Sequence, residues 1–200
     1  MKTKYLVLLV TLLIAGCSSA IPMQMNPEML KTVQPNEGIV IGSVMMRGGE
    51  DILGRNEWKL AVKSNDGLGE FFMIATRDQE EFFTAKMPAG EYHIKNFYQS
   101  GFSNAYSDVS IHFKVEPGKT TYIGRLVIEF PPGLTTMATK FKISLENAKD
   151  PAIDNAQKNT DLAMKDVSTR LMIVESPMGC VKSDRKDDNG IAFLNTFGCM

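Results

Sequence analysis

The two histidines are the natural residues to consider for catalysis or metal binding. His93 and His112 each alternate with apolar residues in a strand-like pattern, which predicts that both side chains lie on the polar face of their strands. They can form a pair only if those strands are neighbours and in register; otherwise each is a solvated strand residue. Neither has the histidine four residues away on a helix that a zinc peptidase motif requires.

Nucleophilic and acid–base catalysis also lack candidate residues. The chain has no Gly-x-Ser-x-Gly motif, and the two histidines are poorly placed to act as a base. Glu80 and Glu81 fall on opposite faces of one predicted strand, so their carboxylates cannot act together. We therefore expect a protein that is not an enzyme and has no cofactor. A small hydrolase with an unrecognised site is the alternative.

Two ion-binding motifs fail on their spacing. Residues 118–120 read Gly-Lys-Thr like the end of a P-loop, but Phe113 occupies the position of the required glycine. With Gly190 as the sixth residue of an EF-hand loop, Arg185 falls at the first position and Thr196 at that of the bidentate glutamate. An EF-hand is therefore excluded, and a looser calcium site stays open.

Methionine thioethers suit Cu(I), and three of them cluster at residues 23, 25 and 29. The chain contains 13 methionines spread along its length, which indicates composition rather than a motif. A metal-handling protein remains an alternative.

The N-terminus predicts an exported protein. Lys2 and Lys4 precede an apolar run of about ten residues, whereas a membrane-spanning helix needs roughly 20. The following residues, Leu-Ile-Ala-Gly-Cys at 13–17, resemble the lipobox of bacterial lipoproteins, with Ile14 where leucine is commoner. The resemblance implies that residues 1–16 are a signal peptide and that Cys17 is acylated. A plain secretory signal with a free Cys17 is the alternative.

Acylation of Cys17 would hold the mature chain on a membrane, because two or more acyl chains anchor stably. By resemblance, Ser18 rather than an aspartate after the cysteine implies sorting to the outer membrane, facing the periplasm or the exterior. Removing residues 1–16 changes the counts from 22 basic and 23 acidic side chains to 20 and 23, a net charge of −3. We therefore expect membrane lipid and an envelope protein as partners, and no nucleic acid.

Cys180 and Cys199 then form an even pair in an exported chain, which favours a disulfide. The bond would close a loop of about 20 residues and stabilise the fold by roughly 3 kcal/mol. A metal pair or two free thiols are the alternatives.

The periodicity of the chain predicts how these residues are positioned. Residues 18–37 contain three helix-breaking prolines and predict a flexible tether. Residues 38–147 predict a mainly β fold, an antiparallel β-sandwich of seven or eight strands, because short alternating runs are separated by Gly- and Pro-containing turns. The runs are 38–46, 57–64, 69–76, 80–87, 91–98, 108–115, 120–130 and 139–145.

Two turns in this region resemble those of prealbumin-like or carboxypeptidase-regulatory-like domains of bacterial lipoproteins. The first reads Pro-Ala-Gly-Glu-Tyr at 88–92, and the second Val-Glu-Pro-Gly-Lys at 115–119. The resemblance covers about residues 38–147 and implies a β-sandwich that serves as an accessory or binding module. It implies no activity.

The segment 148–174 predicts one or two helices packed on the sandwich. Asp150 and Pro151 are typical of a helix start, and Ala163, Val167 and Leu171 recur every fourth residue. Residues 175–200 predict a loop-like tail closed by the disulfide.

Aromatic residues are the remaining candidates for recognition. The segment 98–106, with Tyr98, Phe102 and Tyr106, has the composition of a recognition loop, although ordinary loops share it. The Phe pairs at 71–72 and 82–83 place one ring on each face of their strands. We expect these rings in the core, unless a bare outer face makes them a binding patch.

These patterns together predict a membrane-anchored envelope lipoprotein that acts as a non-enzymatic binding or assembly module.

Overall fold

The computed structural model describes residues 20–48, 57–67, 69–99, 104–131, 140–160, 164, 166–186 and 192–194. The predicted signal peptide, Cys17, Phe102 and Cys199 lie outside these ranges.

The described elements in chain order are β1 (Ile21–Pro22), α1 (Pro27–Leu30), β2 (Glu37–Arg47), β3 (Glu57–Ser64), β4 (Glu70–Thr76), β5 (Glu80–Pro88), β6 (Gly90–Gln99), β7 (Asn104–Val115), β8 (Thr120–Glu129), β9 (Lys140–Glu146), α2 (Lys149–Asn159), β10 (Ser168–Thr169), β11 (Ile173–Val174), β12 (Met178–Cys180), β13 (Lys182–Lys186) and β14 (Ala192–Leu194).

Two mostly antiparallel sheets form a sandwich, which confirms the predicted fold class. Sheet A has eight strands in the order β1-β4-β3-β6-β7-β13-β14, and β11 also pairs with β7. Sheet B has six strands in the order β12-β9-β8-β2-β5, and β10 also pairs with β8. The strand pairs β1–β4, β2–β8 and β8–β10 are parallel.

The eight predicted strands correspond to β2–β9, because alternating side chains separate the core from the outer faces. In β3, for example, Leu60 and Val62 are buried while Lys63 is exposed. Aromatic rings fill the centre of the core: Phe97 lies edge-on to Phe141 at 4.9 Å and to Trp58 at 5.2 Å between ring centroids. Such edge-to-face contacts add to the burial of apolar area.

The prediction of a flexible tether is wrong for residues 20–31, because this segment pairs with the sandwich and buries Met23 and Leu30 in it. β1 pairs with β4, and the Met23 amide donates to the Phe72 carbonyl at 2.8 Å. The Met23 side chain is 0% exposed within the main core, and Leu30 is also buried. Burial of a methionine side chain stabilises by about 1.5–3 kcal/mol, which offsets part of the entropy lost when the segment is ordered.

The prolines in this segment occupy positions that tolerate them. Pro22 lies in the two-residue edge strand β1, and Pro27 starts α1. The Asn26 side chain caps α1 by accepting from the Met29 amide at 3.1 Å. The Met25 amide also donates to the Thr84 carbonyl of β5 at 3.3 Å. The segment therefore closes the edge of the sandwich between β4 in sheet A and β5 in sheet B.

The helical prediction holds only for part of segment 148–174. Helix α2 begins at Lys149, with Ala148 at its cap and no side-chain capping bond, so Pro151 is its third residue rather than its first. The part of the predicted stripe that the structure describes, Val167 and Leu171, is not helical, because these residues flank β10 and β11; Ala163 lies outside the described residues.

Residues 166–186, which we call the C-terminal strap, alternate between the sheets instead. β10 pairs with β8, β11 with β7, β12 with β9, and β13 with β7. The Arg170 and Met172 amides also donate to backbone carbonyls of β8, at 3.0 and 2.9 Å. Pairing with exposed strand edges satisfies more backbone groups than an isolated helix would offer these residues. The predicted loop-like tail is therefore largely strand where the structure describes it.

The buried N-terminal segment gives a direct test. We expect Met23→Ala to lower the free energy of unfolding by about 2–5 kcal/mol, the usual cost of truncating a buried methionine. The matched control is Met29→Ala, because the Met29 side chain is 42% exposed and only six residues away. Urea unfolding followed by Trp58 fluorescence measures both variants. Equal stability of the two variants would contradict the packing of this segment.

Candidate functional site

The outer face of sheet A brings the candidate residues together in rows across the strands. In one row, Ile74 of β4, Lys59 of β3, Tyr98 of β6 and Tyr106 of β7 are successive register partners; we call it the aromatic row. In a second row, Glu70, Lys63, His93, His112 and Ile173 are successive partners across β4, β3, β6, β7 and β11; we call it the histidine row. A bulge in β6 between Ile94 and Asn96 keeps His93 and Tyr98 on the same face.

The histidine row realises the pairing that the sequence left open. His93 and His112 are direct cross-strand partners, with ring centroids 6.3 Å apart. His93 is only 8% exposed, and its Nδ1 contacts the Asn65 side-chain oxygen at 2.5 Å. This contact assigns the proton to Nδ1, which leaves Nε2 with a lone pair. Within the described chain that buried Nε2 has no hydrogen-bond partner.

Burial and positive neighbours keep His93 neutral. Desolvation lowers the pKa of His93 below its ordinary value of 6.5, and the charges of Lys95, His112 and Lys63 lower it further. A protonated His93 would lose water and face these cations from β6, β7 and β3. The neutral imidazole is therefore the form that the fold favours.

His112 contacts a serine and a glutamate, but not in the arrangement of a catalytic triad. Ser110 Oγ donates to Glu175 Oε2 at 2.5 Å, and His112 Nε2 lies 3.3 Å from the same oxygen. Ser110 Oγ is 3.2 Å from that same Nε2. In a triad the acid holds the opposite ring nitrogen and the serine proton goes to the imidazole. These contacts instead fasten the C-terminal strap to β7.

The outer face of sheet B holds a charged network formed by Arg125, Glu80 and Glu146, with Ser43 bonded to it. A bulge at Gly124, where φ is +111°, turns Arg125 outward, and its guanidinium binds both oxygens of Glu80 at 2.7 and 2.8 Å. Glu146 accepts a third bond at 3.1 Å, and Ser43 donates to Glu80 at 2.6 Å.

This network is closed on itself rather than open to a ligand. The Arg125 and Glu80 side chains are 18% and 17% exposed. Burial opposes the charge of Arg125, but its hydrogen bonds to Glu80 and Glu146 and the charges of those carboxylates outweigh burial and raise the pKa of Arg125. Because all three guanidinium nitrogens are already engaged, we interpret the network as structural.

The aromatic candidates divide between core and surface. Phe71 and Phe83 are in the main core, and Phe82 packs in the second cluster beneath α2, as expected of core rings. Phe72 differs, because it lies half-buried on the outer face of sheet A with Lys59 Nζ 5.2 Å from its ring centroid.

Both ends of the predicted recognition loop are strand residues, and residues 100–103 lie outside the described ranges. Tyr98 and Tyr106 lie in β6 and β7 as cross-strand partners, with Tyr98 37% exposed and Tyr106 half-buried. Phe102 lies outside the described residues.

The remaining candidates concern metals, membranes and the disulfide. Among the described residues, no three His, Cys, Asp or Glu side chains are arranged to hold a metal ion. Nor does this part of the chain contain a helix with the length and apolar character needed to span a membrane. Cys180 is half-buried in β12; its predicted partner Cys199 lies outside the described residues, so their bond stays a prediction.

The sequence did not reveal the contacts that assemble these clusters. Glu175 reaches His112 across 63 residues, and Arg125 reaches Glu80 across 45. The one local signal was the alternation of polar and apolar residues, which placed both histidines on the polar faces of their strands.

Comparisons with protein-family models, with curated proteins and with solved structures each found no match.

The histidine row predicts a pH dependence of stability. Because the folded pKa of His93 is lowered, its contribution to stability is complete above the unfolded value near 6.5 and is lost as pH falls below it. We expect the melting temperature of the unsubstituted protein to fall more than that of His93→Gln between about pH 7.5 and pH 5.5. Parallel curves for the two proteins would contradict the assignment.

Proposed function

We propose that this protein is a bacterial envelope lipoprotein that acts as a non-enzymatic binding or assembly module. The observation that carries the proposal is the lipobox-like run at 13–17, followed four residues later by a segment fixed to the sandwich at β1. An acyl chain on Cys17 would therefore anchor a rigid β-sandwich. The acyl chains would hold this module at the membrane surface, where it could bind other envelope components.

The aromatic row supports a binding role for the outer face of sheet A. Tyr98 is exposed, while Ile74, Tyr106 and the nearby Phe72 are half-buried. The described helix α2 packs on sheet B, against Ile39, Ile41 and Tyr122, so this helix does not cover the outer face of sheet A. Tyrosines provide large, rigid contact surfaces with a polar tip, which is why they are enriched at protein interfaces. We propose a protein partner in the envelope.

The hydrolase alternative is disfavoured by the contacts that Ser110, His112 and Glu175 make with one another. One nitrogen of His112 faces both the serine and the carboxylate, so the imidazole cannot relay a proton between them. Metal handling has equally little support here, because Lys63 and Lys95 place positive charge beside His93.

We also propose the Cys180–Cys199 disulfide as part of the mature protein. Leu194 of β14 pairs with Asp184 of β13, which is four residues from Cys180. Cys199 follows Leu194 by five residues, so the hairpin returns the chain to within reach of Cys180.

Intact mass of protein taken from its native membrane tests the anchor. We expect a chain that begins at Cys17, carries the mass of added acyl groups and lacks two hydrogens because of the disulfide. Cys17→Ala should yield an unlipidated chain that no longer sediments with membranes. An unmodified mass for the unsubstituted protein would overturn the lipoprotein proposal.

Site-specific photo-crosslinking in intact cells tests the binding face. A photoreactive side chain at Tyr98 should yield a discrete adduct with an envelope protein, whereas the same group at exposed Lys142 on sheet B should not. Adding Ile74→Glu, which puts a charge in the same row, should abolish the adduct. Equal adducts from both positions, or an adduct that survives the glutamate, would contradict this face as the binding surface.

A further inference from the structure

Three turns gather at one end of the sandwich, which we call the anchor end: residues 65–67, 88–90 and 116–119. The Asn65 amide donates to the Glu91 carbonyl at 3.0 Å, which joins the first turn to the second. The Ala89 amide donates to the Asn36 carbonyl, and the Gly118 amide to the Glu37 carbonyl, both at 2.7 Å. The start of β2 thus connects the second turn to the third. These bonds make the anchor end one continuous surface.

The N-terminal segment enters the fold at this same end. β1 runs parallel to β4, and Ile21 pairs with Phe71 at the start of that strand, next to the first turn. Ile21 is 38% exposed there. Cys17 precedes Ile21 by four residues, which span at most about 14 Å even when fully extended. An acylated Cys17 must therefore hold Ile21, at the anchor end, within that distance of the lipid.

We propose that the anchor end is a membrane-facing surface, apposed to the phospholipid headgroups, and that the sandwich stands on it in a fixed orientation. This inference rests on the acylation of Cys17 proposed above. The partner of the anchor end is a lipid surface, and the short, sheet-bound connection from Cys17 provides the attachment. Exposed Ile21 adds an apolar contact at the point of entry.

The charges at the anchor end fit contact with headgroups without requiring an anionic lipid. Lys119 pairs with Glu116 at 2.6 Å, and Lys114 pairs with Glu91 at 3.4 Å. Lys63 pairs with Glu70 at 2.7 Å. Each of these lysines is matched by a carboxylate, and Asp66 adds a negative charge in the first turn, so the attachment depends on the acyl chains rather than on attraction to anionic lipid.

The same orientation fixes the position of the aromatic row. Tyr98 lies eight residues along β6 from Gly90 of the second turn, a distance of about 27 Å at the rise of a strand. Lys59 and Ile74 lie at the same level as Tyr98. The aromatic row is therefore presented away from the bilayer, toward a partner that reaches to that height.

Lysine footprinting tests this orientation on the unsubstituted protein. The acylated protein is reconstituted into vesicles of phosphatidylethanolamine and phosphatidylglycerol, and its amines are modified with a water-soluble ester. We expect Lys119 and Lys63 to react several-fold more slowly than in soluble Cys17→Ala, because headgroups cover the anchor end. Lys140, at the start of β9 and at the opposite end, should react equally in both.

A linker variant separates the orientation from the anchor. Insertion of a Gly/Ser linker of about 20 residues after Ser19 keeps acylation but frees the sandwich, so protection of Lys119 and Lys63 should disappear. Vesicle-bound protein whose Lys119 reacts as fast as in the soluble form would overturn the proposed orientation. Failure of the unsubstituted protein to carry acyl chains or to bind vesicles would instead overturn the lipoprotein proposal.

Discussion

Closure of the two open edges of the sandwich is the constraint on which the rest of the structure depends. A sheet edge exposes unpaired backbone groups, and two stacked sheets also expose the margin of their core. Met23 fills this margin between β4 and β5, and Met172 fills it on the side of β7 and β8. Both methionines are carried by segments that hydrogen-bond to strands of both sheets. The flexible thioether side chain is well suited to such an irregular gap.

The outer faces acquire their chemistry from strand register. A cross-strand partner is fixed once one residue of each strand is aligned, and a shift by one residue would turn every side chain to the other face. His93 therefore meets His112, and Tyr98 meets Tyr106, as consequences of one alignment of β6 with β7. On sheet B, the bulge at Gly124 performs the equivalent task for Arg125. Within the described residues, the outer face of sheet A consequently presents a mixed aromatic and charged surface, whereas sheet B is covered by α2 and a closed ion network.

The strands could be predicted from the sequence, but their partners could not. Alternation in runs such as Glu57–Ser64 is a local property, and the structure has strands at nearly the predicted positions. The His93–Asn65 contact and the pairing of Arg125 with Glu80 depend on register between distant strands, which no local pattern encodes. The terminal segments were misjudged for a related reason. The prolines near residue 23 and the apolar residues at every fourth position around residue 167 are weak local signals. Strand pairing in the folded protein overrode both.

The interleaving of the C-terminal strap bears on how the protein reaches its native state. Residues 166–186 supply neighbours to β7, β8 and β9, which belong to different sheets. Neither sheet has its full complement of strands until nearly the whole chain is present, and these long-range pairings make folding slow. A chain whose last strands complete both sheets reaches its fully paired state only when its synthesis is nearly finished. Late completion of the sandwich would suit the export that the proposed lipobox requires, because a domain that folds early would block a secretion channel.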